Sequence, residues 1–167
     1  INKMDREAMD TFELLDDIEN ELGIATCPIN WPIGAGKRFK GVYDRETKQV
    51  SMFRAVSVGG AKSAAETDYD LNDPALKEAV GDELYQQLLD EVELLDGASD
   101  TFDQELVDQG KLSPVFFGSA LTTFGIETFL EHFLKMTKSP LPRMSNEGLI
   151  DPIESPFSGF IFKIQAN

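Results

Sequence analysis

In 167 residues there is one cysteine, one histidine and one tryptophan, with only 15 lysines and arginines against 30 aspartates and glutamates. The single cysteine, Cys27, excludes an internal disulfide and fits a reducing cytoplasm; it reads as a small buried side chain rather than a nucleophile. His132, the sole histidine, has no second ligand type at metal spacing, which argues against a zinc site and for a neutral surface residue. No apolar run approaches the ~18 residues of a membrane span, and no charged-then-apolar leader opens the chain. The shortage of basic residues is also uneven. Of the net charge of −15, most lies in residues 61–110, where fifteen acidic side chains meet only Lys62 and Lys77. A surface of that sign repels phosphate backbone, so direct nucleic-acid binding is not expected of this segment.

What is present begins with an apolar fraction of 41%, enough for the core of one domain or one and a half. Two short runs carry the chemistry, Asn2-Lys3-Met4-Asp5 and Gly118-Ser119-Ala120. The two oxygens of the Asp5 carboxylate can accept two N–H bonds side by side, which matches the ring N–H and exocyclic amine of guanine. Adenine offers no such pair of donors, and leaving buried polar groups unpaired costs about 10⁴-fold or more in selectivity. Alone, an N-K-x-D pattern suits the capping of a following helix equally well. The context favours a ligand site: Ile1 ends a strand and a helix follows, and ligands of open α/β sheets sit at the carboxyl ends of strands. The second run repeats that logic, with Pro114-Val115-Phe116-Phe117 as a strand and a helix beginning near Gly125.

Between the two runs, Leu14 or Leu15, Ile18 and Leu22 set out a helix over 10–22, started by Asp10 with Glu13 and stopped by Gly23. Cys27 to Ile33, interrupted by Pro28 and Pro32, reads as an edge strand. Gly34-Ala35-Gly36-Lys37 is a plain glycine turn: a phosphate loop needs glycine where Trp31 stands and Ser or Thr where Arg38 stands. Residues 39–44 and 49–56 predict a hairpin, and 57–73 a flexible connector. Pro74 then starts a helix whose stripe is Leu84, Leu88, Leu89, Val92 and Leu95, ended by Gly97, and 102–109 forms a shorter one. The last predicted helix carries Ile126, Phe129, Leu130, Phe133 and Leu134 on its apolar face, with His132 off it. Residues 139–156 read as a linker and 157–166 as a strand opening a new domain, so the chain reads as a cut from something longer.

The two runs stand more than a hundred residues apart, which leaves some eighty residues between them as an inserted subdomain. N-K-M-D followed by G-S-A on strand-to-helix loops resembles the fourth and fifth guanine-nucleotide motifs of the translational GTPases. The insertion resembles the translocase and release-factor-three types within them. The run 27–37, with Phe39-Lys40-Gly41-Val42-Tyr43 and the last eleven residues, is most similar to the bacterial release-factor-three family.

The resemblance implies an α/β fold. Residues 1–26 and 111–138 would be the C-terminal part of a P-loop GTPase G domain, 27–110 an inserted acidic α+β subdomain, 139–156 a linker and 157–167 the first strand of a β-barrel domain. It implies that Asp5 pairs with the guanine amines, Asn2 supports the loop and contacts the base, and Lys3 lays its stem over the ring. Ser119 and Ala120 would present backbone N–H groups to the guanine oxygen. GTP or GDP and magnesium would be the parent protein's cofactors. Its partners would be the ribosome and the class I release factors it recycles, with a ribosomal stalk protein for the acidic insertion. The phosphate loop, switches and catalytic residues would precede Ile1, so GTP hydrolysis by these 167 residues alone is not expected. An elongation factor G-like translocase or a ribosome-protection GTPase is the alternative within the superfamily, and an acidic protein-interaction module the alternative outside it.

Overall fold

The structure, a computed structural model, describes residues 1–58, 61–154, 156–157, 159 and 161–165, with the backbone alone at 55–58 and 61–66. It is an α/β chain whose first helix, α1 (Thr11–Leu22), starts where the sequence predicts. The Asp10 carboxylate accepts from the Phe12 and Glu13 N–H groups, and Gly23 closes the helix at φ 65°. The chain then forms β1 (Ala25–Pro28) and β2 (Asn30–Ile33) in place of the single predicted edge strand. β1 pairs in parallel with β6 (Leu112–Val115), whereas β2 begins an antiparallel sheet that continues through β3 (Gly41–Asp44) and β4 (Gln49–Val58) to β5 (Ala61–Asp70).

Ile29 is the crossing point. Its N–H donates to Val115 O at 2.9 Å, on the parallel side, and its carbonyl accepts from Arg45 N at 2.9 Å, on the antiparallel side. Asn30, fully buried, closes the same seam by exchanging two bonds with Phe117, Nδ2 to O at 3.1 Å and N to Oδ1 at 2.7 Å. A buried carboxamide thus supplies the donor and acceptor that a strand neighbour would otherwise provide.

The hairpin is β3 (Gly41–Asp44) with β4 (Gln49–Val58), and Asp44 caps its turn through the Glu46 and Thr47 N–H groups at 2.8 and 2.9 Å. The predicted connector over 57–73 is instead mostly β5 (Ala61–Asp70), paired with β4 from Gln49↔Asp70 to Val58↔Ala61; residues 59 and 60 lie outside the described residues. Its Ala, Ser and Asp residues have weak strand preference, and the ladder to β4 overrides it.

Gly81, at φ 88°, divides the predicted long helix into α2 (Pro74–Val80) and α3 (Asp82–Ala98), and Gly97 lies inside α3 rather than ending it. Leu84, Leu88, Val92 and Leu95 are buried as expected. α4 (Gln104–Asp108) and α5 (Ile126–Met136) follow. One buried cluster runs from Met4, Leu15, Val115 and Phe117 through Trp31, Val42 and Val50 to Leu76, Leu88 and Leu95, and a second joins Cys27, Ile29 and Leu112 with Val107 of α4 and Met136 of α5. Trp31 is the hub of the first, against Phe12 at 4.6 Å and Phe117 at 5.3 Å between ring centroids, with its indole N–H on Glu91 at 2.7 Å.

α5 departs from its predicted orientation. Its buried residues are Thr128 and His132, while Leu130, Phe133 and Leu134 are 48%, 47% and 75% exposed. His132, expected at the surface, is 3% exposed, and its two ring nitrogens face Asp44 at 2.5 Å and Glu46 at 3.1 Å. Two carboxylate partners repay the desolvation of an imidazole where an apolar neighbour would not. A groove of about 550 Å³ lies between α1, β6 and α5, lined by Ile18, Leu22, Val115 and Phe129.

The predicted linker contains a small hairpin, β7 (Arg143–Ser145) and β8 (Gly148–Ile150). Among the described residues of the predicted final strand none is in a strand, and Phe157, Ile161, Phe162 and Ile164 are exposed; the rest of that prediction, at 158, 160, 166 and 167, lies outside the described residues. A lone strand has no ladder partner to hold its backbone. No helix among the described residues is long and apolar enough to cross a membrane.

Candidate functional site: two loops at the end of the parallel pair

Residues 1–5 and 118–120 meet at the carboxyl end of β6. Gly118 N donates to Ile1 O at 3.1 Å, Met4 N donates to Gly118 O at 3.1 Å, and the Ile1 nitrogen donates to Phe116 O at 2.5 Å. On this backbone frame the side chains interlock. Ser119 Oγ donates to Asp5 Oδ1 at 2.5 Å across 114 residues of sequence, and Ala120 N donates to Asn2 Oδ1 at 2.9 Å. Asn2 Oδ1 also accepts from Lys3 N at 2.7 Å. Lys3 sits at φ 74°, an uncommon conformation for a residue with a side chain, and both Asn2 and Lys3 are exposed.

All five predicted site residues are therefore brought together. Asp5 is half-buried, with Oδ1 held by Ser119 and no hydrogen bond to Oδ2 from the described residues. A carboxylate has about four acceptor positions, so one bond from serine orients the group and leaves room for two further N–H donors. Ser119 turns its hydroxyl, and not its backbone N–H, toward the other loop. Its backbone N–H is committed to Phe124 O at 2.8 Å, so its contribution is the hydroxyl that holds Asp5. The Ala120 N–H is likewise engaged, by Asn2, and a guanine oxygen would have to share it.

Over its whole length the chain is 49% identical to peptide chain release factor 3 of Symbiobacterium thermophilum and 48% identical to that of Trichormus variabilis. The chain belongs to the peptide chain release factor 3 family. It spans about a third of the curated relatives it matches, 31% of each of these two. Release factor 3 of Synechocystis is 46% identical over the same 167 residues. No protein-family model matches. Among solved structures, one from Thermus thermophilus aligns with a TM-score of 0.48 and 23% identity, covering 83% of this chain and 21% of that one.

Sequence reasoning missed a third contributor to the site within this release factor 3 segment. Gly36 N, from the turn after β2, donates to Met4 O at 2.9 Å. The signal was the pair Gly34 and Gly36, which take φ 74° and 59°. Cys27, in contrast, lies where the sequence suggested, 2% exposed, and burial pushes its thiol pKa up, opposed in part by Arg45.

Proposed function

We propose that this chain is the guanine-reading half of a nucleotide site in a translational GTPase of the release factor 3 kind. The observation that carries the reading is the Ser119–Asp5 bond, together with the Asn2–Ala120 bond, because they orient the Asp5 carboxylate with one oxygen open. In this reading Asp5 accepts from the guanine ring N–H and exocyclic amine, Lys3 covers the base, and Asn2 holds the two loops together. The carboxylate acceptor pair fits the two adjacent donors of guanine, which adenine lacks.

The parent protein would bind the ribosome and use GTP hydrolysis to recycle class I release factors in termination. GTP with magnesium supplies the hydrolysable phosphate; no phosphate-loop sequence occurs in these 167 residues, so other parts of the protein would hold both. In the same reading residues 1–26 and 111–138 are G-domain structure, 27–110 is the insertion, and the tail from 157 leads into a β-barrel domain. The exposed acidic side of α3, which also presents Leu94 at 58% exposure, is offered as the contact for a ribosomal stalk protein.

Asp5→Asn tests the base assignment in a full-length release factor 3 carrying this segment. An amide places a donor where guanine also donates, so GDP affinity should fall at least about a hundredfold while xanthosine diphosphate, which has a carbonyl there, gains. Unchanged GDP binding would reject the assignment. The isolated 167 residues should bind GDP weakly or not at all, because phosphate contacts dominate such sites; calorimetry giving micromolar or tighter binding would contradict this.

A further inference from the structure

The glycine turn after β2 has no place in the proposed function as it stands, yet it is hydrogen-bonded to the base-reading loop. Gly36 N donates to Met4 O at 2.9 Å, while Met4 N donates to Gly118 O at 3.1 Å. Met4 O belongs to the peptide plane that joins Met4 to Asp5, and Met4 N to the plane that joins it to Lys3. Because each plane is rigid, bonding both holds in place the peptide that carries the Asp5 Cα, the atom from which its side chain projects. Met4 itself is 2% exposed, so this grip is also anchored in the core.

The turn is shaped for that contact. Arg38 N closes it onto Ala35 O at 3.0 Å, and Gly36, buried at φ 59°, approaches residue 7 so closely that a Cβ would lie 2.4 Å from Glu7 Oε1 and 3.4 Å from Glu7 N. Gly34, at φ 74°, would place a Cβ 2.3 Å from Arg38 O. A second contact reaches the other loop: Phe39 and Phe53 pack on Phe124 at 6.2 and 4.8 Å, and Phe124 O holds the Ser119 N–H.

We propose that the Gly34–Arg38 turn is a positioning element for the guanine loop, so that the antiparallel body sets the affinity and base selectivity of the Asn2–Asp5 site. The inference rests on the guanine reading given above. Gly36 is a positioning residue, since it acts on the base through the Met4–Asp5 peptide.

The experiment compares Gly36→Ala with Gly23→Ala in a full-length release factor 3 carrying this segment. Gly23 has nearly the same conformation, φ 65°, but a Cβ there meets nothing within 4 Å, so it reproduces the backbone strain without the contact. Gly36→Ala is expected to weaken GDP binding by about tenfold and to reduce the preference for GDP over inosine diphosphate, which lacks the exocyclic amine; displacements of about an ångström have effects of this size or larger. Gly23→Ala should change neither. In the unsubstituted protein, GDP should slow hydrogen exchange at the Gly36 N–H, since a bond that favours the binding-competent loop is favoured in turn by the ligand. That measurement decides the matter if Gly36→Ala does not fold. Gly36→Ala matching Gly23→Ala in both binding readouts, or Gly36 exchange insensitive to GDP, overturns the positioning role and leaves the base assignment standing. No preference for GDP over inosine diphosphate in the unsubstituted protein overturns both.

Discussion

The antiparallel body and the parallel pair lie on opposite sides of Ile29 and are covered to different degrees. In the body, Trp31, Val42, Val50, Leu76, Leu88 and Leu95 are all 1% exposed or less. On the parallel side, α5 turns Thr128 and His132 inward and leaves Leu130, Phe133 and Leu134 exposed, with Leu22 of α1 at 65%. Parallel strands are ordinarily covered on both faces, so although the two regions share one buried cluster, the apolar faces of the body are covered more fully than those of the parallel pair. The candidate site sits at the junction, on the less covered side but gripped from the more covered one.

Trp31→Ala removes the hub shared by both regions and should lower stability by about 3–5 kcal/mol in urea unfolding. An effect below about 1 kcal/mol would mean that the two regions do not share a core. His132→Ala comes next. It strips the buried Asp44 carboxylate of a partner and should destabilise by about 2–3 kcal/mol, with His132→Gln recovering part of it. Asp10→Ala, at the start of α1 on the parallel side, should lose about 1 kcal/mol through its two capping bonds. Leu134→Lys should leave the unfolding midpoint within about 0.5 kcal/mol yet reduce self-association in light scattering, because that side chain is unpaired with any core. The smallest effect is Lys138→Met. Lys138, and then Gln104, hold the exposed Asp108 carboxyl below its usual range. Its contribution is therefore present above the unfolded-state pKa and lost as pH falls through the lower folded-state one. The variant should differ slightly from the parent near neutral pH and converge with it in strong acid.

Much of this was legible from local pattern. Asp10 and Gly23 bracket α1 because a capping carboxylate and a left-handed glycine act within one turn, and the 84–95 stripe buries as its spacing predicts. β5 was not legible, since its ladder comes from β4 and not from its own residues. Nor was the inward face of α5: apolar spacing identified a stripe, but two carboxylates on the β3–β4 hairpin made the histidine face the one to bury. In the candidate site, Asp5 and Ser119 could be singled out as residue types, while the hydroxyl–carboxylate bond between them and the Gly36 contact could not.

By itself, then, the sequence determined the residues of the two loops, the helix boundaries set by caps and glycines, and the membership in the release factor 3 family, all of which depend on neighbours in the chain or on identity along it. Only the tertiary structure decided that Ile29 divides one apolar run between two sheets, that His132 lies inside, and that Gly36 holds the peptide from which Asp5 projects. Each of these is a hydrogen bond between groups far apart in sequence, and which distant partner satisfies a buried polar group is settled only when the surrounding elements pack.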